Sequence, residues 1–116
     1  MSSRDDERLA DVLASVDAIT AHLRRGSLSD GLVFDAVRVR LIEIGEAVKA
    51  VDPNLPSHEP GIQWGDVAGM RNHLAHRYFD TALSIVESTV EVDLPPLVAA
   101  VERLQDRLLA GEDVAE

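Results

Sequence analysis

Apolar residues recur at every third or fourth position along most of this chain, and this period constrains its fold more than any other feature. The first such run falls in residues 5–25, where its members are Leu9, Val12, Leu13, Val16, Ile19 and Leu23. This spacing places them on one face of an α-helix, whereas a half-buried β-strand would alternate apolar and polar residues. Aromatic residues make up 3% of the sequence, so the core must consist mainly of Leu, Val, Ile and Ala. That mixture favours interlocking helices over a β-sandwich.

Stop and start signals separate the first two predicted helices. Gly26 is expected to end the first helix, because glycine is common directly after a last helical turn. The second helix is predicted from about residue 30 to about residue 51. We expect Ser27 or Ser29 to cap it, with Asp30 beside it, since short polar side chains accept hydrogen bonds from the amides of a first turn.

The rest of the chain reads as one loop followed by further helices. Residues 52–63 contain three prolines and a glycine, which predicts a loop. A third helix is predicted from Trp64, followed by a short break near Phe79-Asp80 and a fourth helix that opens at Thr81. The pair Pro95-Pro96 is expected to kink or restart the chain before a last helix, because proline is tolerated in a first helical turn.

We interpret this pattern as one all-α domain over residues 1–116, with flexible ends at about 1–4 and 111–116. The predicted architecture is an up-and-down bundle of four to five helices. Gly45 interrupts the second helix, at a place where glycine costs about 1 kcal/mol relative to alanine. We therefore expect another helix to approach closely at Gly45.

Charge and composition limit the functions open to the chain. Cysteine is absent, which excludes disulfides and cysteine-bound metals. No apolar run approaches the ~20 residues that span a bilayer, so a cytoplasmic protein without membrane contact is expected. The formal net charge of −10 excludes a broad basic surface for long nucleic acids. RNA contact would require a local cluster, for which the central cations are Arg38, Arg40, Arg71 and Arg77.

The segment that ends at Tyr78 carries residue types suited to RNA cleavage without a metal ion. The RNA 2′-hydroxyl attacks its own phosphate, so the protein need not supply a nucleophile. His76 can move protons at neutral pH, and Arg71 can hold the phosphate and neutralise charge in the transition state. Asn72 can donate to a phosphate oxygen or brace the site, and Tyr78 offers a hydroxyl for substrate contact or modification.

The spacing of these residues sets a geometric condition. Arg71 and His76 are five residues apart, which turns them about 140° from each other on an ideal helix. They converge only if the helix ends near His76, or if two copies of the segment face each other in a symmetric dimer. His73 and His76 raise the alternative of a metal site, but no third ligand has a spacing suited to zinc. A further alternative is a helix end with a packed Tyr78 and a solvated His76.

The motif Arg71-Asn72-x3-His76-x-Tyr78 resembles the Arg-x4-His-x-Tyr signature of HepT-like proteins, a branch of the HEPN superfamily. Three more segments are similar to that family and follow in the same order, namely 41–48 with its Gly-Glu-Ala sequence, 62–70 with its tryptophan, and 92–95 before the last helix. The resemblance covers nearly the whole chain.

This resemblance implies a HEPN-like helical bundle that forms a homodimer, with two motifs near the interface. It implies a metal-independent endoribonuclease without a cofactor, acting as the toxin of a toxin-antitoxin pair. Arg71 and His76 are then the catalytic pair, and Asn72 is a supporting residue. The implied antitoxin is a nucleotidyltransferase of the MntA type, which transfers AMP onto the motif tyrosine, here Tyr78. Phosphate placed there would occupy the RNA position and repel substrate.

Two other functions are compatible with the same residues. One is a non-catalytic module that binds a nucleotide or a nucleotidyltransferase partner, in which case the acidic surface and Tyr78 serve that partner. The other is a scaffold dimer in which the motif is a remnant. Loss of RNA cleavage in a His76→Ala variant of unchanged stability separates the ribonuclease from both.

Overall fold

The computed structural model describes residues 3–74 and 79–111, and no β-strand occurs among them. The six α-helices of this part of the chain are α1 Ser3–Arg25, α2 Gly31–Ala50, α3 Trp64–Ala68, α4 Met70–Leu74, α5 Phe79–Ser88 and α6 Leu94–Leu109. A 3₁₀ turn spans Pro56–His58, and a π-helical turn spans Thr89–Asp93. The prediction of an all-α fold is confirmed.

The long helix α2 lies at the centre of the bundle. It packs along α1 and also contacts α3, α4 and α5, while α6 packs against α1. The side chains that these helices bury completely are mostly aliphatic, as the low aromatic content requires, and the largest are Leu9, Ile19, Leu41, Ile44, Leu74 and Leu104. The helices α1, α3, α4 and α5 therefore all pack against the same continuous helix, α2.

The cap of α2 differs from the predicted one. Asp30, rather than Ser27 or Ser29, occupies the N-cap, and its Oδ1 accepts hydrogen bonds from the amides of Leu32 at 2.9 Å and Val33 at 3.4 Å. The two serine hydroxyls instead contact each other at 2.5 Å. The prediction failed because Asp30 is extended and directly precedes the first helical residue, whereas the serines lie in the turn before it.

The predicted third helix is divided in two. It begins at Trp64 as expected but ends at Ala68, and a separate helix α4 begins at Met70. Gly69 between them has φ −86° and ψ 9°, so its ψ is well outside the helical range. The sequence pattern missed this break because the apolar period continues across it.

The last part of the chain contains α5 and α6, which the π-helical turn joins. Helix α5 already includes Phe79 and Asp80, so the prediction that it opens at Thr81 is wrong. The preceding segment 75–78 lies outside the described residues, so the short break near Phe79-Asp80 stays a prediction. The prediction that Pro95-Pro96 restart the chain before a last helix is confirmed, since α6 begins at Leu94 with Pro95 in its first turn. Pro95 and the following proline provide no amides for the preceding turn, and the amide of Leu94 bonds to the carbonyl of Thr89, five residues back.

The predicted loop 52–63 is held at several points. The indole Nε1 of Trp64 donates to the carbonyl of Glu59 at 2.9 Å. Arg103 of α6 donates to both carboxylate oxygens of Glu59, with the shortest distance 2.7 Å. This hydrogen bond, together with the positive charge of Arg103, lowers the pKa of the Glu59 carboxyl from its ordinary value. The loop is thereby fixed to α6 just before the segment that leads to the motif.

Residues 1–2 and 112–116 of the predicted flexible ends lie outside the described residues. The extent of the domain and the mobility of its ends stay predictions. None of the helices in the described part is long and apolar enough to cross a membrane.

Candidate functional site

Helix α4 presents the first half of the motif to solvent. Met70 and Leu74, one helical turn apart, are 8% and 1% exposed and hold the helix against the core. The three residues between them, Arg71, Asn72 and His73, are exposed. The sequence therefore places a guanidinium and an amide on an outward face whose opposite side is buried, which suits contact with a charged ligand.

Gly45 of α2 makes room for the backbone that carries α4. A Cβ atom at Gly45 would lie 2.7 Å from the carbonyl oxygen of Val67 and 3.1 Å from the Cβ of Met70. The predicted close approach at Gly45 is confirmed, and the approaching element is the junction of α3 and α4. Since Met70 directly precedes Arg71, this contact sets the distance between α2 and the start of the motif.

Gly69 provides the turn into α4 and fixes its first backbone groups. The Gly69 carbonyl accepts hydrogen bonds from the amides of Asn72 at 2.9 Å and His73 at 3.1 Å. The amide of Gly69 in turn donates to the carbonyl of Gly65 at 3.0 Å. The backbone of Asn72 is thus tied through Gly69 to α3.

Arg38 of α2 reaches the other end of α4. Its Nε and Nη2 both donate to the carbonyl oxygen of Leu74, at 3.4 Å and 3.2 Å. The sequence identified Arg38 only as one of the central cations, and no local pattern predicts a contact between residues 36 positions apart. The positive charge of the guanidinium strengthens these hydrogen bonds relative to bonds between neutral groups.

The second central cation of α2 faces a different helix. Arg40 contacts Glu43 at 2.9 Å and donates from its Nε to His22 of α1 at 3.4 Å. The structure therefore brings Arg38 to α4 and directs Arg40 toward α1. Arg40 therefore does not lie in one cluster with Arg71, and it is removed from the set of central cations that the sequence proposed for RNA contact.

The second half of the motif lies outside the described residues. His76, Arg77 and Tyr78 belong to the undescribed segment 75–78, so the convergence of Arg71 and His76 stays a prediction. The same holds for the modification of Tyr78. Among residues 3–74 and 79–111, no group of three or more His, Asp or Glu side chains is placed to hold a metal ion.

Most of the chain is similar to proteins that are named as ribonucleases. A family model described as Ribonuclease HepT-like matches residues 9–104. A protein of Thermococcus cleftensis, named a probable ribonuclease HepT, is 28% identical over 109 residues, which cover 90% of this chain and 99% of that protein. A candidate RNase of Methanocaldococcus jannaschii is 29% identical over 100 residues, which cover 83% of each chain. Another, from Caldanaerobacter subterraneus, is 34% identical over 67 residues, 57% of this chain and 60% of that protein. No solved structure matches the chain significantly.

Proposed function

This chain belongs to the Ribonuclease HepT-like family, and on that premise we propose that it is an endoribonuclease that cleaves RNA without a metal ion. Arg71 and His76 are the proposed catalytic pair, with Asn72 in support. The observation that carries the proposal is the exposure of Arg71 on a helix that the buried residues Met70 and Leu74 hold against the core. An arginine held in this way offers a charged donor to a phosphate without a large rearrangement of the backbone.

The proposed reaction is an internal transesterification at one phosphate. His76 in its neutral form accepts the proton of the 2′-hydroxyl, the bond between O2′ and phosphorus forms, and the bond between phosphorus and O5′ breaks. The imidazolium then returns its proton to the departing O5′. The products are a 2′,3′-cyclic phosphate and a free 5′-hydroxyl. Arg71 stabilises the extra negative charge on the phosphate oxygens during this step.

The acidic balance of the chain fits a local rather than an extended RNA site. A net charge of −10 disfavours a long phosphate track. A single scissile phosphate requires far fewer cations, and an arginine can contact it through two parallel hydrogen bonds. We infer that the substrate is engaged over a few nucleotides, which suits a single-stranded loop better than a duplex.

The decisive experiment measures cleavage of a labelled single-stranded RNA by the purified chain in the presence of EDTA. The wild type is expected to produce fragments that end in a 2′,3′-cyclic phosphate, detected by mass spectrometry. His76→Ala and Arg71→Ala should abolish cleavage at unchanged melting temperature, whereas His58→Ala, in the loop, should cleave normally. Intact RNA with the wild type, or undiminished cleavage by His76→Ala, would contradict the proposal.

We further propose that the chain is the toxin of a toxin-antitoxin pair and works as a homodimer. Its antitoxin would be an MntA-type nucleotidyltransferase that attaches AMP to Tyr78. The added phosphate next to Arg71 would compete with RNA for the same guanidinium. Expression of the chain alone should arrest growth, and co-expression of the antitoxin should relieve the arrest and increase the mass of the tryptic peptide containing Tyr78. Relief without that mass increase would reject the modification.

The net charge of −10 also favours a second function, a non-catalytic module that binds a partner protein. In that case the chain co-purifies tightly with a nucleotidyltransferase, and His76→Ala has no effect on growth. RNA cleavage by the purified wild type rejects this alternative.

A further inference from the structure

We propose that a cavity between α2, α3 and the π-helical turn is a binding site for a small organic cation, a molecule with a compact apolar body and one protonated amine. The cavity has a volume of about 200 Å³ and opens to solvent. It borders Val67 and Met70, which precede the motif along the chain. This inference goes beyond the proposed RNA cleavage and does not depend on it.

The floor of the cavity is apolar and comes from three helices. Its buried members are Leu41 and Ile44 of α2, Met70 of α4, and Leu94 and Leu97 of α6. An apolar cavity of about 150 Å³ is large enough to bind benzene. This floor therefore accepts a benzene-sized ring or a branched alkyl group, with room for a short substituent.

Two carboxylates give the cavity its charge. Asp66 of α3 and Asp93 of the π-helical turn both line the cavity, and both are exposed. Within residues 3–74 and 79–111, neither carboxylate forms an ion pair or a side-chain hydrogen bond, and no cationic side chain of these residues lines the cavity. A protonated amine can donate charge-assisted hydrogen bonds to such carboxylates, whereas an anion is repelled.

The π-helical turn is part of the cavity wall. Its first and last residues, Thr89 and Asp93, both line the cavity. The hydroxyl of the buried Thr89 donates to the carbonyl of Ile85 at 2.8 Å, so its proton is already engaged within the helix. Turns of this kind are rare and are frequent at functional sites. The irregular turn thus supplies one of the two carboxylates to the apolar floor.

The test follows binding of benzylamine to the full chain by methyl NMR, with benzyl alcohol and benzoate as neutral and negative molecules with the same ring. Benzylamine should shift the methyl signals of Val67, Met70 and Leu97, and it should bind about fivefold or more tightly than benzyl alcohol. Benzoate should cause no shift. Added salt should weaken the binding of benzylamine and leave that of benzyl alcohol unchanged.

Three variants test the role of the carboxylates. Asp66→Asn and Asp93→Asn keep the shape of the side chain and remove one charge, so each should weaken benzylamine binding about twofold to fivefold without affecting benzyl alcohol. Glu91→Gln is the matched control, because Glu91 is an exposed carboxylate of the same turn that does not line the cavity. Its affinity for benzylamine should equal that of wild type.

Four results would overturn the proposal. Equal affinity for benzylamine and benzyl alcohol would remove the role of charge. An equal loss of affinity in Glu91→Gln and Asp93→Asn would assign the attraction to the overall negative charge of the chain. Methyl shifts confined to other parts of the protein, or none at up to ~10 mM benzylamine, would exclude this cavity as the site. Binding of a lysine-containing peptide without binding of benzylamine would assign the cavity to a protein partner instead.

Discussion

Replacing Gly45 by alanine should separate the stability of this protein from its activity. A Cβ at Gly45 would lie 2.7 Å from the carbonyl oxygen of Val67 and 3.1 Å from the Cβ of Met70. An ordinary contact between carbon and a carbonyl oxygen is at least ~3.3 Å. The junction of α3 and α4 must therefore move outward by roughly 0.6 Å, because the added atom meets backbone and not the end of a flexible side chain.

The expected change in stability is small because two effects oppose each other. Alanine in a helix interior is favoured over glycine by about 1 kcal/mol. Overpacking of a filled contact costs about 1–3 kcal/mol. The free energy of unfolding of Gly45→Ala should thus fall by about 0–2 kcal/mol, which leaves the protein folded.

The effect on activity should be larger, since the displaced backbone leads directly into Arg71. A misplacement of ~1 Å can cost about 100-fold in rate, so a shift of roughly 0.6 Å should lower kcat/KM about tenfold. Urea unfolding and RNA cleavage measured on the same preparations give both quantities. Gly31→Ala is the matched control, because it lies on α2 and a Cβ there meets nothing within 4 Å; its activity should equal that of wild type. A Gly45→Ala variant with full activity and a stability gain of about 1 kcal/mol would refute this reasoning.

Three other measurements test separate parts of the structure. Asp30→Ala should lower the free energy of unfolding by about 1 kcal/mol through loss of the α2 cap, whereas Ser27→Ala should not; equal losses would contradict the assigned cap. Because Arg103 lowers the pKa of Glu59 below its ordinary value of 4.5, this pair stabilises the fold above that pH and loses its contribution as the pH falls through the folded pKa. Glu59→Gln should therefore reduce the acid-induced loss of stability in urea titrations at successive pH values, and an unchanged pH profile would contradict this. A plot of log kcat/KM against log salt concentration should have a slope of about −0.7 to −1.4, which corresponds to contact with one or two phosphates. Arg71→Gln should make this slope less negative by about 0.7, whereas a wild-type slope steeper than about −3 would indicate an extended RNA site.

The helices of this fold follow from local sequence, but several of their boundaries do not. The apolar period predicts α1, α2 and α6 because each buries one continuous stripe against its neighbours. It cannot detect the break at Gly69, where φ and ψ change while the stripe continues through Met70 and Leu74. The apolar period also does not predict the π-helical turn before Pro95, because that turn arises where the prolines lack the amide N–H groups that would bond to the preceding turn.

The candidate site likewise contains residues that the sequence predicts and contacts that it does not. Arg71 and Asn72 are found from the motif and are exposed where a ligand can reach them. The anchors that hold them were harder to predict. The low helix propensity of glycine predicted a close approach at Gly45, but only the structure identifies the α3–α4 junction as the element that approaches. The contact of Arg38 with Leu74 involves a backbone carbonyl, and every residue type carries one, so the sequence contains no signal for it.

Both anchors belong to one face of one helix. Arg38 and Gly45 are seven residues apart on α2, which brings them within about 20° of the same direction and separates them by ~10.5 Å along the axis. Gly45 contacts the backbone just before α4, and Arg38 donates to the carbonyl of Leu74. Because α2 is continuous between them, a displacement at one anchor cannot be relieved by sliding the helix without disturbing the other. Helix α4 thus takes its position from contacts with α2 at Met70 and at Leu74, which hold the helix that carries the exposed Arg71.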